Sequence, residues 1–228
     1  MTTTLPNHRR TVIVANGSPD FRLECLTCIQ TDDRVIAVDG GYRSCAAMNI
    51  RTDALIGDMD SLDPALLDQA RGVVPDILQY PAQKDQTDLE LALKYAVVRQ
   101  GATEILVFGA LGGRWDMSIG NVFLLLHPML ADIDVRLIEE CTEIRLLRGP
   151  AAMTIGGKTG DGLSLIALSE NARDICLKGL LYNLDHEDLA LGSSRGISNV
   201  FLQDSVTIEF KQGNLLVIHI RNEESGPS

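Results

Sequence analysis

The stretch Asp53-Ala54-Leu55-Ile56-Gly57-Asp58-Met59-Asp60-Ser61 decides how this chain is read. A short apolar run, expected as a strand over Asp53–Ile56, ends in a glycine followed by two spaced acids. In extended backbone, side chains at i and i+2 share one side, so Asp58 and Asp60 converge on one point. Carboxylates that close repel each other unless a cation or a shared proton relieves them. Hard divalent ions such as Mg²⁺ take oxygen ligands of this kind, usually together with substrate phosphates. A solvated Gly-Asp turn is the bland alternative, and the rest of the chain decides between the two.

Outward from that stretch the same alternation recurs. Further strands are expected at Thr11–Ala15, Arg34–Val38, Ile77–Gln79, Glu104–Phe108 and Asp134–Ile138. Their continuous apolar character suits parallel strands buried on both faces. Between them lie amphipathic segments. Over Asp88–Gln100, Thr87 with Glu90 forms a capping box and Gly101 occupies the place of a C-terminal glycine. Met117–His127, stopped by Pro128, is a second helix. Alternation of this kind predicts an α/β domain with an open, mostly parallel sheet and flanking helices.

The segments after the strands carry the chemistry. They are Asn16-Gly17-Ser18, Asp39-Gly40-Gly41, Gly57-Asp58-Met59-Asp60, Lys84-Asp85-Gln86-Thr87-Asp88 and Gly109-Ala110-Leu111-Gly112-Gly113-Arg114-Trp115-Asp116. In an open parallel sheet, ligands bind outside the carboxyl ends of the strands. Turn chemistry explains any one of these loops, but not five on one edge, four of them with Asp. Asp85 and Asp88 lie three apart at a helix start, hence on one face, beside backbone N–H groups suited to phosphate. Lys84 and Gln86 flank them as phosphate donors. Gly112 and Gly113 allow close backbone approach to an oxyanion, Arg114 supplies a bidentate fork, and Asp116 orients that guanidinium.

Past Arg148 the pattern changes. Gly-rich turns separate short alternating runs, with strands expected at Leu163–Leu168, Ile175–Lys178, Ser205–Lys211 and Leu215–Ile220, the last two as a hairpin. The expected division is a catalytic domain over 1–148 and an all-β sandwich over 149–228. The tail from Asn222 is polar and expected to be disordered.

Composition bounds the partners. With 31 acids against 20 bases, a net charge of −11 argues against a nucleic-acid surface, which needs a basic patch. It also repels anionic substrates at long range, so a phosphate site here is expected to recruit metal. No apolar run approaches the ~20 residues of a membrane span. Met1–Arg10 lacks a signal peptide's hydrophobic region. The five cysteines, Cys25, Cys28, Cys45, Cys141 and Cys176, are an odd set read as reduced packing residues, so a cytoplasmic protein is expected. The Cys25/Cys28 pair has no second pair to complete a zinc site. Gly157-Lys158-Thr159 resembles the end of a P-loop but lacks the earlier glycine and a following helix. The histidines His8, His127, His186 and His219 show no ligand spacing. From the residues alone the reading reaches a metal–phosphate site for phosphoryl-type transfer.

As a set, these motifs resemble thiamine pyrophosphokinase. The matching elements are Asp39-Gly40-Gly41, Gly57 to Ser61, Lys84 to Glu90, and Gly112 to Asp116 with Asn121. In the second half, Gly179-Leu180-Leu181-Tyr182 and Gly196-Ile197-Ser198-Asn199 also match. The resemblance implies transfer of the terminal diphosphate of ATP to thiamine's hydroxyl, with Mg²⁺, in a homodimer whose active sites lie between subunits. It implies Asp58, Asp60 and Asp88 as Mg²⁺ ligands, with Asp39 and Asp85 nearby, and Asp85 and Arg114 among the catalytic residues. Nucleotide contacts would come from Lys84, Gln86, Arg114 and Asn121, within a binding set that adds Asn16, Gly17, Gly40, Gly41, Thr87, Gly112, Gly113 and Asp116. Tyr182 would join Ser198 and Asn199 of the partner subunit in holding thiamine. Two positions depart from the family pattern: Met117 replaces His or Gln, and Val200 replaces Glu. A diphosphokinase for another small alcohol, or a non-catalytic thiamine or nucleotide sensor, is the alternative.

Overall fold

A computed structural model describes residues 9–17 and 27–222. Ser18, Cys25, the segment before Arg9 and the tail beyond Asn222 lie outside the described residues. The chain divides into two compact units, Met1–Glu140 and Cys141–Ser228. The boundary therefore falls earlier than the division after 148 expected from composition. Strand Thr142–Arg148 belongs to the second unit because it pairs along its whole length with Asn214–Ile220.

In the first unit, strands β1 (Arg10–Val14), β2 (Arg34–Val38), β3 (Ala54–Gly57), β4 (Asp76–Gln79), β5 (Glu104–Phe108) and β6 (Asp134–Glu139) run in the spatial order β6-β5-β1-β2-β3-β4. Every pairing among them is parallel. Alternate side chains point to opposite faces, and both faces are covered. Val12, Val14, Val35, Ala37, Leu55 and Phe108 pack with Tyr42 and Cys45 of helix α1 (Gly41–Ala47) and Ala70 of α2 (Pro64–Val73). Ile13, Ile36, Ile56, Ile105 and Val107 alternate with them and are equally inaccessible. Burial pushes the Cys45 thiol up to about 12, which marks it as a packing residue.

Helix α3 (Asp88–Val98) begins as the sequence predicts: Thr87 Oγ1 accepts the Glu90 amide at 3.2 Å. The Glu90 side chain does not complete the expected box; it accepts from Gln86 Nε2 at 2.7 Å. Gly101 follows with φ +66°, the left-handed conformation that closes a helix. Helix α4 spans Trp115–Leu124, starting and stopping earlier than expected. Asp63 caps α2, accepting from Leu66 N at 2.9 Å.

The second unit holds β7 (Thr142–Arg148), β8 (Ala151–Gly156), β9 (Gly162–Ala167), β10 (Asn171–Lys178), β11 (Leu184–Ala190), β12 (Asn199–Val200), β13 (Ser205–Phe210) and β14 (Asn214–Ile220). They form two antiparallel layers ordered β12-β9-β14-β7 and β11-β10-β13-β8 around a core that includes Leu165, Ile175, Leu177, Phe201, Ile208 and Val217. The predicted hairpin of the last two strands is overturned. β13 pairs with β10 and β8, whereas β14 pairs with β7 and β9. Gly213, at φ +100°, lies so close to Asn171 that a Cβ would sit 2.5 Å from its carbonyl oxygen. The turn therefore carries the chain from one layer to the other.

The P-loop look-alike is a turn held by a buried pair. Asp161 accepts from Lys158 N and Asn222 N, each at 2.9 Å, and meets His219 Nε2 at 3.0 Å. Phe201 stacks on His219 with centroids 5.1 Å apart. Burial alone raises the Asp161 carboxyl, but those hydrogen bonds outweigh it and hold it below its ordinary value. An acid depressed in this way adds stability that is complete above its unfolded value and is lost as pH falls through its folded one. Asp161→Ala is expected to cost about 3–5 kcal/mol at pH 7 in urea denaturation. The difference from the wild type should shrink only below the unfolded value of 3.8; a difference that vanishes nearer pH 7 contradicts this account.

Candidate active site

The strand order reverses at β1, because the chain steps outward from β1 to β4 on one side and returns through β5 on the other. Segments leaving β1 and β5 therefore part company, and a crevice opens at the carboxyl ends of these strands. A cleft of about 600 Å³ occupies that place, lined by Asn16, Gly17, Asp39, Asp88, Gly112, Gly113, Arg114, Met117 and Asn121 among others. Glycine makes the convergence possible. A Cβ on Gly17 would sit 2.3 Å from the Gly109 carbonyl oxygen, and one on Gly57 would sit 2.9 Å from Asp39 Cβ.

Asp39 directly follows β2 with φ +46°, and its amide donates to Ile56 O at 2.9 Å, which ties it to the end of β3. Beyond β3, Met59 takes φ +68° and buries its side chain, so that Asp58 and Asp60 turn outward around it. The ligand-type oxygens of Asp39, Asp58 and Asp60 lie within 4.8 Å of one another. Asp88 stands beside this group through Lys84, whose Nζ is 3.1 Å from Asp88 Oδ1 and 3.8 Å from Asp58 Oδ2. The resemblance implies Asp58, Asp60 and Asp88 as ligands with Asp39 nearby; the fold brings Asp39 into contact range of Asp58 and Asp60, with Asp88 beside them across Lys84. Asp85 is exposed and outside the group.

Two buried oxygens, Asp39 Oδ1 and Asp88 Oδ1, have no hydrogen bond. For Asp88 Oδ1 the contact with Lys84 is an ion pair whose alignment falls short of hydrogen-bond geometry. Burial raises the Asp88 carboxyl, Lys84 opposes that, and Asp58 and Asp39 add to it. Three convergent carboxylates with an orphaned oxygen fit a hard divalent cation such as Mg²⁺. Gln79, which the sequence reading missed, donates from Nε2 to Asp58 O at 3.2 Å. Its one signal was its position at the end of the strand beside β3.

On the other wall, Gly112 and Gly113 have φ +86° and +65°. Arg114 leads into α4 without a side-chain cap, and the Asp116 carboxylate accepts from backbone N–H groups of this first turn. Arg114 Nη2 lies 2.5 Å from Asp116 Oδ2, as expected, with both side chains exposed. Asn121 is buried and donates from Nδ2 to Ala110 O at 2.7 Å. That bond ties it to the glycine loop through one of its two Nδ2 hydrogens. Met117 lines the cleft.

Tyr182, Ser198 and Asn199 lie in the second unit. Asn199 is buried, accepting from Tyr182 N at 2.9 Å and donating to Tyr182 O at 2.6 Å. Its amide therefore pins the segment that presents Tyr182. Ser198 is exposed at φ +60°, and its amide donates to Ser164 Oγ at 3.1 Å.

Comparison with known proteins agrees with this arrangement. The family described as thiamin pyrophosphokinase, catalytic domain, matches residues 26–137, and its vitamin B1 binding domain matches residues 152–215. Thiamine pyrophosphokinase of Bacillus subtilis is 31% identical over 211 residues, covering 92% of this chain and 98% of that protein. The chain belongs to the thiamine pyrophosphokinase family. A crystal structure of the Bacillus subtilis enzyme superposes with a TM-score of 0.85 at 28% identity, over 94% of this chain and all of that one. One from Geobacillus thermodenitrificans gives 0.79 at 31%, over 95% and 99%. The α/β-plus-sandwich architecture expected from the sequence is thus that of the family.

If the acidic group holds Mg²⁺, the ion stabilises the native state by mass action, about 2.7 kcal/mol at a hundredfold excess over Kd. For a chain of this size, roughly 2–4 °C of Tm accompany each kcal/mol. A Tm increase of several degrees is expected for the wild type on adding Mg²⁺. It should be lost in Asp58→Asn with Asp60→Asn; an equal increase in that variant rejects the site.

Proposed function

We propose that this chain transfers diphosphate from ATP to the hydroxyl of thiamine, giving thiamine diphosphate and AMP. The observation that carries the reading is the meeting, at the strand-order reversal, of three carboxylates with Lys84 and a glycine loop ending in Arg114. That is the equipment for binding a nucleotide polyphosphate, in a chain that belongs to this family along nearly its whole length.

Asp39, Asp58 and Asp60 would hold Mg²⁺, with Asp88 beside them; the ion, when bound, neutralises polyphosphate charge. The residues of the chain do the rest. The amides of Gly112, Gly113 and the first turn of α4 receive phosphate oxygens, and Gly40 and Gly41 let the loop after β2 approach closely. Arg114, released from Asp116, forks onto the transferring group, and Lys84 shifts from Asp58 and Asp88 toward it. The thiamine oxygen attacks the β-phosphorus as the bond from the α,β-bridging oxygen to that phosphorus breaks, and AMP departs with the electron pair. A carboxylate of the cluster takes the hydroxyl proton. Electrostatic positioning of this kind supplies most of the rate in phosphoryl-type transfer.

Purified protein with thiamine, ATP and Mg²⁺ is expected to yield AMP and thiamine diphosphate in equal amounts. Arg114→Ala should lower kcat by about 10²–10³-fold, the cost of losing one donor to developing charge. ADP with thiamine monophosphate would make the protein an ordinary kinase. Binding of both substrates without AMP release would make it the sensor, a reading to which Met117 in the cleft lends some support.

Homodimerisation and a cytoplasmic setting belong to the same proposal. Trp115, Ile119 and Phe123 recur every four residues along α4 and expose 82%, 54% and 53% of their surfaces. Tyr182, Leu181 and Ile197 are also exposed in the second unit. Apolar faces of this extent mark association surfaces. Sedimentation is expected to give a dimer that Trp115→Glu with Phe123→Glu dissociates; a fully active monomeric wild type overturns this. The described cysteines are all free, and among the described residues no helix is long and apolar enough to cross a membrane.

A further inference from the structure

The outer face of the β11-β10-β13-β8 layer carries a second cluster of donor atoms that the transfer reaction does not use. Asp174 and Cys176 are two apart on β10 and so share a face. On the neighbouring strand β11, His186 meets them both: its Nδ1 is 3.5 Å from Cys176 Sγ and 2.5 Å from Asp174 Oδ1. All three donor atoms lie within 4.8 Å of one another. Asp174 and His186 reach this meeting through left-handed backbone, φ +56° and +53°. The β10–β11 register shifts on both sides of Ile175.

The arrangement is not a proton relay. A relay uses the two nitrogens of an imidazole, one for the nucleophile and one for the carboxylate. Here thiol and carboxylate both face the same nitrogen, as donors around a common centre do. Lys211 pairs with the other oxygen, Asp174 Oδ2, which leaves Oδ1 turned toward the imidazole. Metal-binding carboxylates are commonly oriented by such outer contacts. A solvated His–Asp hydrogen bond would account for the short contact alone, but not for the thiol on the same nitrogen.

We propose that Asp174, Cys176 and His186 form a site for a borderline-soft divalent cation, Zn²⁺ being the best match. Thiolate and imidazole select such ions over Mg²⁺. Tetrahedral Zn²⁺ with its usual bond lengths places sulfur and nitrogen about 3.6 Å apart, and the observed separation is 3.5 Å. The 2.5 Å contact opens by side-chain rotation as the ion enters, and the thiol proton leaves to solvent. A cleft of about 370 Å³ lies over the cluster. Glu209, cross-strand partner of Cys176, borders that cleft and offers an oxygen as fourth ligand. The bound ion clips β10 to β11 where the ladder is irregular.

The test uses the full chain, reduced, stripped with chelator and held in excess Mg²⁺ so that the acidic group of the first unit is occupied. Titration with Co²⁺ is expected to produce a near-ultraviolet thiolate-to-cobalt band that saturates at one equivalent and that Zn²⁺ abolishes. Cys176→Ser should remove the band. His186→Ala should weaken Co²⁺ binding by roughly tenfold or more. Both side chains are at or near the surface, so unchanged urea midpoints are expected for the metal-free variants. Absence of the band in the wild type, or its survival in Cys176→Ser, overturns the site. Neither readout depends on turnover, so the outcome stands apart from that of the diphosphate-transfer assay.

Discussion

Parallel pairing of β1 with both β2 and β5 is the constraint on which the rest of the first unit depends. Each of these strands presents apolar side chains to both faces, so each needs neighbours on both edges and cover above and below. The chain satisfies this by building outward from β1 and then returning to its other side. That return separates the loops after β1 and β5 and leaves a cleft between them. Gly17 and Gly109 meet there at a distance no side chain would allow.

Charge then does in the cleft what packing does in the core. A chain with a strong acidic excess brings three carboxylates together and leaves two of the nearby oxygens without hydrogen bonds. Lys84 spans Asp58 and Asp88 and offsets the repulsion among the acids.

The strands of the first unit were legible because buried parallel strands leave continuous apolar runs bounded by glycine and acid. The Thr87 cap and Gly101 stop were legible because caps are local chemistry. The hairpin of β13 and β14 was misread for a physical reason. Two alternating runs joined by Gln212-Gly213 look the same whether they pair with each other or face each other across a core. The meeting of Asp39 with Asp58 and Asp60 was not legible from spacing, because it depends on a hydrogen bond from the Asp39 amide to the end of β3. Asn121 and Asn199 read as ligand contacts, and each also bonds backbone groups, of Ala110 and Tyr182, that only the folded chain brings within reach.

By itself the sequence determined the succession of elements, the polarity of each loop and the family to which the ordered motifs belong, since these follow from local periodicity and residue type. Tertiary structure alone decided which acids share a centre, which layer receives each strand of the sandwich, and that Cys176 and His186 stand side by side. The reason is the same in each case: contacts between residues far apart along the chain are chosen by burial and strand register, which act on the whole fold at once.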